Sequence, residues 1–408
     1  MQENPHLSTP LTNPTRVIYP SPGFEHYWNH GSGKKMLETI ERVPNKAEIE
    51  QQIPLLLEYD ALADRVINEV YGTMGFRQAN ELLDRLLKHG LDSEVEIPES
   101  LRLLLEEVFA TPAWLNPTLL EVGSAFCRRS GTMGFLVLRN YCLMGGYESS
   151  AINKPLIFTE ALQKGAPKRI AETVEFWVNA TGENALQPFQ IGFNNAIKIR
   201  LMHAYARVSI LNSSKWETSS WGIPLNQWDM VATNLGFSWV FMDGLKKLGL
   251  RPTDEEIKGV LHLWKYIGFL LGIPPTHLPD TANEAIEALY KWTITQPPSD
   301  ADTKALATSL MNEPFQIDFP KYNWQKKLVV NIHLQYNQFF LGKRSCASIG
   351  LPSVYFNTYP HIVAFFNRMK EGSVHQWKSS YRNSVKRGRK KQEKVKDLFM
   401  KGYESMNH

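Results

Sequence analysis

The sequence predicts an all-α protein, and three observations predict it. Runs of β-branched residues with strict alternation are nearly absent. Helix-start signals recur just ahead of apolar residues at helical period. Basic residues followed by Gly and Pro close one such run, GLKKLGLRP (244–252). The best strand candidate, KLVVNIHL (327–334), is short and fits a helix equally well. A chain of 408 residues could form two or three domains or one large helical one. The pattern divides it into an extended N-terminal arm over 1–33, a single helical domain over 34–380 and a basic helix or tail over 381–408.

The arm is polar and proline-rich, without a basic start and apolar run, so no secretory leader is expected there. Asn45 can cap a helix entering KAEIEQQI, and Asn116-Pro117 places a cap and a first-turn proline before TLLEVGSAFCRR. Thr253 with Glu256, and Thr281 with Glu284, have capping-box spacing. GTMGF occurs at 72–76 and 131–135, but the flanks differ, which argues against a duplicated domain. The longest apolar stretch, VLHLWKYIGFLLGI (260–273), is interrupted by Lys265 and suits an amphipathic or buried helix better than a membrane span.

Hydrophobic residues make up 43% of the chain and aromatic ones 11%, with 11 Trp, enough for a large interior or a ring-walled cavity. A net charge of +4 is small for this length and points away from nucleic acid. The three cysteines, Cys127, Cys142 and Cys346, are too scattered for a disulfide framework or a zinc site, and suit a reducing compartment. A cytoplasmic protein is the expectation. The Lys/Arg-dense end, after Tyr381, is either a solvated helix or a patch for an acidic partner or anionic membrane, with Leu398, Phe399 and Met400 as a weak apolar anchor.

Chemistry concentrates in IRLMHAYARVSIL (199–211). At helical spacing Arg200, His203 and Arg207 share one face. A lone His on an apolar helix is ordinarily a core histidine bonded to a carbonyl. Two arginines beside it need something anionic, because buried charge is costly unpaired. A haem would answer both: its iron takes a neutral imidazole and its two propionates take guanidinium groups. The arginines would also keep the ring unprotonated. HExxH, P-loop, GxGxxG, GxSxG and CxxCH motifs are all lacking, so a haem would be non-covalent and b-type. His262 fits packing inside a helix, and His277 and His361 sit beside loop signals.

Four ordered stretches carry a resemblance: KRIAETVEFW (168–177), IRLMHAYARV (199–208), WGIPLNQWDMVATNLGFSWVFMDGLKKLG (221–249) and WKYIGFLLGIPPTHLP (264–279). Over about Phe126 to Pro279 the chain resembles the oxygenase MpaB / latex clearing protein (rubber oxygenase) family. The resemblance implies a globin-like helical core around haem b, with His203 as proximal iron ligand flanked by Arg200 and Arg207. It puts Arg169 and Thr173, one turn apart, on the distal side, where they could hydrogen-bond dioxygen. It further implies an oxygenase cleaving or oxidising a carbon–carbon double bond in an apolar isoprenoid or lipid-like substrate, with an unidentified electron donor. Two positions depart from the family pattern. Glu172 stands where some relatives carry a distal lysine, and ungapped counting puts Asn153 where they carry a glutamate base, with Glu148 and Glu160 nearby. Monooxygenase or peroxidase-like chemistry, and a helical ligand-binding protein without redox activity, remain alternatives.

Overall fold

Asn45, Asn116, Thr253 and Thr281 all cap helices. Asn45 accepts the Glu48 amide at 3.1 Å while the Glu48 carboxylate accepts the Asn45 amide at 2.9 Å, a closed capping box. Thr253 and Glu256 close a second one. Thr281 accepts the Glu284 amide, but the Glu284 carboxylate turns to the Asp280 amide instead. The computed structural model describes residues 13–18, 21–93, 96–159, 165–213 and 215–404. Among these the chain is helical throughout, with no strand, as the pattern predicts.

The helices that position the site and its surroundings run in this order: α1 Pro22–His30, α2 Ala61–Val66, α3 Glu99–Phe109, α4 Pro117–Arg129, α5 Gly165–Ala180 and α6 Ile191–Leu211. There follow α7 Gln227–Leu235, α8 Asp254–Leu270, α9 Ala282–Ile294, α10 Asn323–Ser348, α11 Tyr359–Val374 and α12 Lys378–Glu404. KLVVNIHL lies inside α10, settling its ambiguity in favour of helix. The two GTMGF copies differ in shape: Gly75 has the positive φ in the first and Gly131 in the second, as expected of unrelated repeats.

Two apolar clusters form the interior. The larger holds Trp177, Phe193, Phe241 and Trp264; the smaller gathers Trp28, Leu56, Trp228 and Trp292. Tyr27, Val240 and Ile257 pack against both. The closest helix pair is α4 with α8, which cross at Gly123 and Gly259. A Cβ on Gly259 would stand 2.6 Å from the Gly123 amide nitrogen, so the crossing requires glycine. Two π-helical turns, Leu138–Leu143 and Gly236–Val240, pack against each other.

The described part of 1–33 is not extended, contrary to expectation. Ser21 caps α1 with Pro22 at its first position, the start signal overlooked in SPGFEHYW. Trp28 is buried and donates from Nε1 to Thr293 Oγ1 at 2.7 Å, and Arg16 is buried against Asp229. At the other end α12 is an ordered helix. Its inner face, Val385, Gly388 and Gln392, packs on α4 and α5, and Gln392 donates to the Cys127 carbonyl. Phe399 also turns inward, edge-on to Phe319, so it is not a free anchor.

Candidate functional site

Helix α6 is apolar on its inner face, with Phe193, Ala196, Ile197, Leu201 and Ala204 in the core. Arg200 and Arg207 are buried on it and His203 is half-buried between them. The structure brings the predicted trio together but gives the arginines protein partners. Arg200 donates to both carboxylate oxygens of Asp60, at 2.6 and 3.1 Å, and to Glu107 on α3 at 3.0 Å. Arg207 grips Asp64 through Nε at 2.9 Å and through a second nitrogen, and its remaining donors reach the Leu225 and Asp60 carbonyls.

These carboxylates supply the anionic partners the two charges need within the protein itself. Asp60 caps α2 and Asp64 follows one turn later, so α2 presents two carboxylates to α6. Burial alone would pull the Arg200 guanidinium down; Asp60 and Glu107 outweigh it and hold it above its ordinary value. Gly272 seals this corner with φ of +84°, and a Cβ there would lie 2.8 Å from Arg200 Nε and inside the Asp60 carboxylate.

His203 is different, because its Nδ1 is enclosed and has no hydrogen-bond partner. An orphaned buried ring nitrogen is uncommon and calls for an explanation. Burial, and then the nearby Arg207 charge, lower its pKa to about 4, so the ring is neutral at physiological pH. The cleft at His203 is lined by Leu225, Gln227, Met230 and Leu271 together with the Asp60–Arg200 corner. A neutral imidazole with a free nitrogen is what iron in haem b requires, so the donor fits. The cleft has room for only about 10 Å³, far below the roughly 300–1,000 Å³ of usual ligand pockets, so a macrocycle needs the surrounding side chains to part.

On α5, Arg169 is half-buried and donates to the Tyr147 hydroxyl at 2.5 Å, its guanidinium 5.7 Å from that ring's centre. The Thr173 hydroxyl donates to the Arg169 carbonyl one turn back, at 2.7 Å. The two residues thus form a single unit with Tyr147, and α5 packs against α6. Neither lines the His203 cleft. Glu172, a catalytic candidate by its place in the family motif, lies outside this unit: its side chain is 61% exposed and sits 3.7 Å from Lys168.

Asn153 is buried and spends its amide on the Gly146 and Ser149 carbonyls, at 2.8 and 2.6 Å. Glu148 is buried beside Ser21 and Ser348, and burial pushes its carboxyl above the ordinary range. Glu160 lies outside the described residues. His262 does more than pack, since its Nε2 accepts the Asn116 amide and closes the start of α4. His277 stands 3.6 Å from Glu58, and His361 packs edge-on to Phe339. Among the described residues no group of three or more His, Cys, Asp or Glu gathers to hold a metal ion.

Sequence reasoning missed Asp60, Asp64, Glu107 and Tyr147. The first two had a signal: EYDALAD sets carboxylates four apart, the helical complement of an arginine-bearing face. Tyr147 and Glu107 had none.

The chain is an all-helical domain with a neutral histidine of unpartnered Nδ1 on α6, and its fold has a solved counterpart. A solved structure of latex clearing protein in its closed state superposes with a TM-score of 0.62, covering 82% of this chain and 91% of that one at 20% identity. The chain belongs to the family described as ER-bound oxygenase mpaB/B'/rubber oxygenase, catalytic domain, whose model matches residues 129–366. The match reaches well past the 126–279 stretch that carried the resemblance. The rubber oxygenase of Streptomyces sp. (strain K30) is 27% identical over 231 residues. That alignment spans 56% of this chain and 56% of its relative, so just over half of the relative's length is represented.

Proposed function

We propose that this chain is a haem b-dependent oxygenase that uses dioxygen to oxidise a carbon–carbon double bond in an apolar isoprenoid or lipid-like substrate. One observation carries the reading: His203 holds a neutral, unpartnered nitrogen inside the catalytic domain of an oxygenase family. His203 is the residue that would hold the iron. When bound, the haem would supply the redox chemistry that activates dioxygen toward the alkene.

The chain's own residues have separate tasks. Arg200 and Arg207, locked to Asp60 and Asp64, fix the angle of α6 against α2 and so aim the imidazole. Burial, reinforced by the positive charge of Arg207, keeps that ring neutral. Tyr147 holds the Arg169 guanidinium in place, so that its remaining N–H groups can donate to a polar atom on the α5 side. An external electron donor is required if the iron must be reduced.

The position of the expected base favours a second reading within the same class. Asn153 cannot accept a proton, and its amide is already committed to two carbonyls. Oxygen insertion, giving an alcohol or epoxide, needs no such base at that place.

The test is an absorption spectrum with pyridine-haemochrome quantification, on wild type and His203→Ala. Wild type should bind haem stoichiometrically and the variant should lose it. Equal retention and an unchanged ferrous spectrum would place the ligand elsewhere, and a colourless wild type with haem in excess would leave a ligand-binding protein. With haem established, carbonyl fragments from a trial isoprenoid indicate cleavage, and hydroxylated or epoxidised products indicate insertion.

A further inference from the structure

Helix α11 is amphipathic in the wrong direction for a core helix. Its inner face is held by Ala364, by Asn367 donating to the Leu248 carbonyl at 2.8 Å, and by Glu371 paired with the buried Arg129 at 2.7 Å. Its outer face carries Ile362, Phe365, Phe366 and Met369, between 47 and 65% exposed. That spacing, i, i+3, i+4, i+7, is an apolar stripe turned to solvent. Tyr355 and Phe356 precede it and Trp377 follows it, all strongly exposed. Scattered exposed apolar residues need no explanation, but a contiguous stripe on an anchored helix does.

The neighbouring charge indicates what covers it. Helix α12 begins just past Trp377 and packs against α11. With its inner face on α4 and α5, it leaves Lys386, Lys390 and Lys394 exposed at one-turn intervals. Aromatic side chains beside an apolar helix face and a lysine row suit one environment, the boundary of an anionic bilayer. There rings sit at headgroup level, apolar side chains reach the acyl region and lysines meet lipid phosphates. Among the described residues no helix is long and apolar enough to cross a membrane.

We infer that the outer face of α11, with the exposed lysines of the adjoining helix α12, docks this protein on an anionic phospholipid surface. Phe399 faces inward, so the anchor is α11 rather than the tail. The inference does not depend on the cofactor.

Co-sedimentation of the full chain with vesicles tests it, comparing phosphatidylcholine alone with vesicles also containing phosphatidylserine. Binding should need the anionic lipid and weaken with salt. Phe365→Ser with Phe366→Ser, and separately Lys386→Glu with Lys390→Glu and Lys394→Glu, should each weaken it by roughly tenfold or more. All five positions are exposed, so thermal midpoints should stay near wild type. Failure of wild type to bind, or variants that bind equally well, would overturn the inference. So would a dimer in sedimentation velocity that the phenylalanine variant dissociates, since the stripe would then belong to a second copy of the chain.

Discussion

Replacing Asp64 with asparagine tests whether the arginines of α6 are structural or wait for a ligand. The Arg207 side chain is 3% exposed and that of Asp64 11%, with Nε to Oδ1 at 2.9 Å. At an effective dielectric near 20, charges at that separation attract by roughly 6 kcal/mol before desolvation. Breaking a buried pair by removing one partner costs about 3–5 kcal/mol, because the survivor stays buried and uncompensated. Asparagine keeps one acceptor, and the Leu225 and Asp60 carbonyls remain at 3.2 and 3.3 Å. The loss should therefore fall at the lower end, about 3 kcal/mol. Urea unfolding of haem-free protein would read it as a lower midpoint at unchanged slope. The Lys46–Glu50 pair, with side chains 89% and 55% exposed, is the control, and Glu50→Ala should cost under about 0.5 kcal/mol. A loss below about 1 kcal/mol without haem, or one that emerges only with haem bound, would refute the reasoning and return the guanidinium groups to the cofactor's carboxylates.

Three further outcomes are expected. Gly123→Ala drives a methyl into the α8 backbone at Gly259 and should cost roughly 2 kcal/mol or more by overpacking, measured as a fall in thermal midpoint; a neutral result would mean that the helices part freely. Burial, assisted by Lys265 and opposed by Asp280, holds the His262 pKa below its ordinary value. The stability this ring contributes is therefore present above the unfolded pKa near 6.5 and lost as pH falls through the folded value. His262→Gln keeps an acceptor for the Asn116 amide without titrating, so the drop in urea midpoint from pH 7 to pH 5 should shrink in the variant, and an equal drop would exclude the ring as its source. Arg16→Ala strands Asp229 in the interior and should cost about 3–5 kcal/mol, whereas a cost near that of the exposed control pair would show the N-terminal segment to be dispensable.

What could be read from the sequence was local. Asn45, Asn116 and Thr253 announce helices because a cap is satisfied within three residues. The trio Arg200, His203 and Arg207 was legible because helical period alone puts the three on one face. Which groups face that trio was not legible, since Asp60 and Glu107 lie 140 and 93 residues away from Arg200 and only the fold brings them near. Charge alone therefore pointed to a ligand as the missing partner, whereas the fold supplies Asp60, Asp64 and Glu107 to the arginines and leaves His203 Nδ1 without a partner. The arm was misjudged because prolines masked a capped start at Ser21. At Glu172 position in a family motif left substrate contact, pairing with Arg169 and solvent all open, and helical phase places it largely in solvent.

Asp229 closes the motif GIPLNQWD, yet its side chain is spent on assembly. Arg16 grips both its oxygens, Trp292 Nε1 donates at 3.0 Å and Asn226 donates at 2.9 Å. Three strangers in sequence, the chain's first turns, α7 and α9, are knotted at one carboxylate. Two residues earlier Gln227 lines the His203 cleft, so this knot sits at the edge of the site. Arg16 precedes Asp229 by more than two hundred residues, and contacts between residues so far apart in sequence slow folding. The wall beside His203 therefore depends on a side chain contributed from more than two hundred positions upstream.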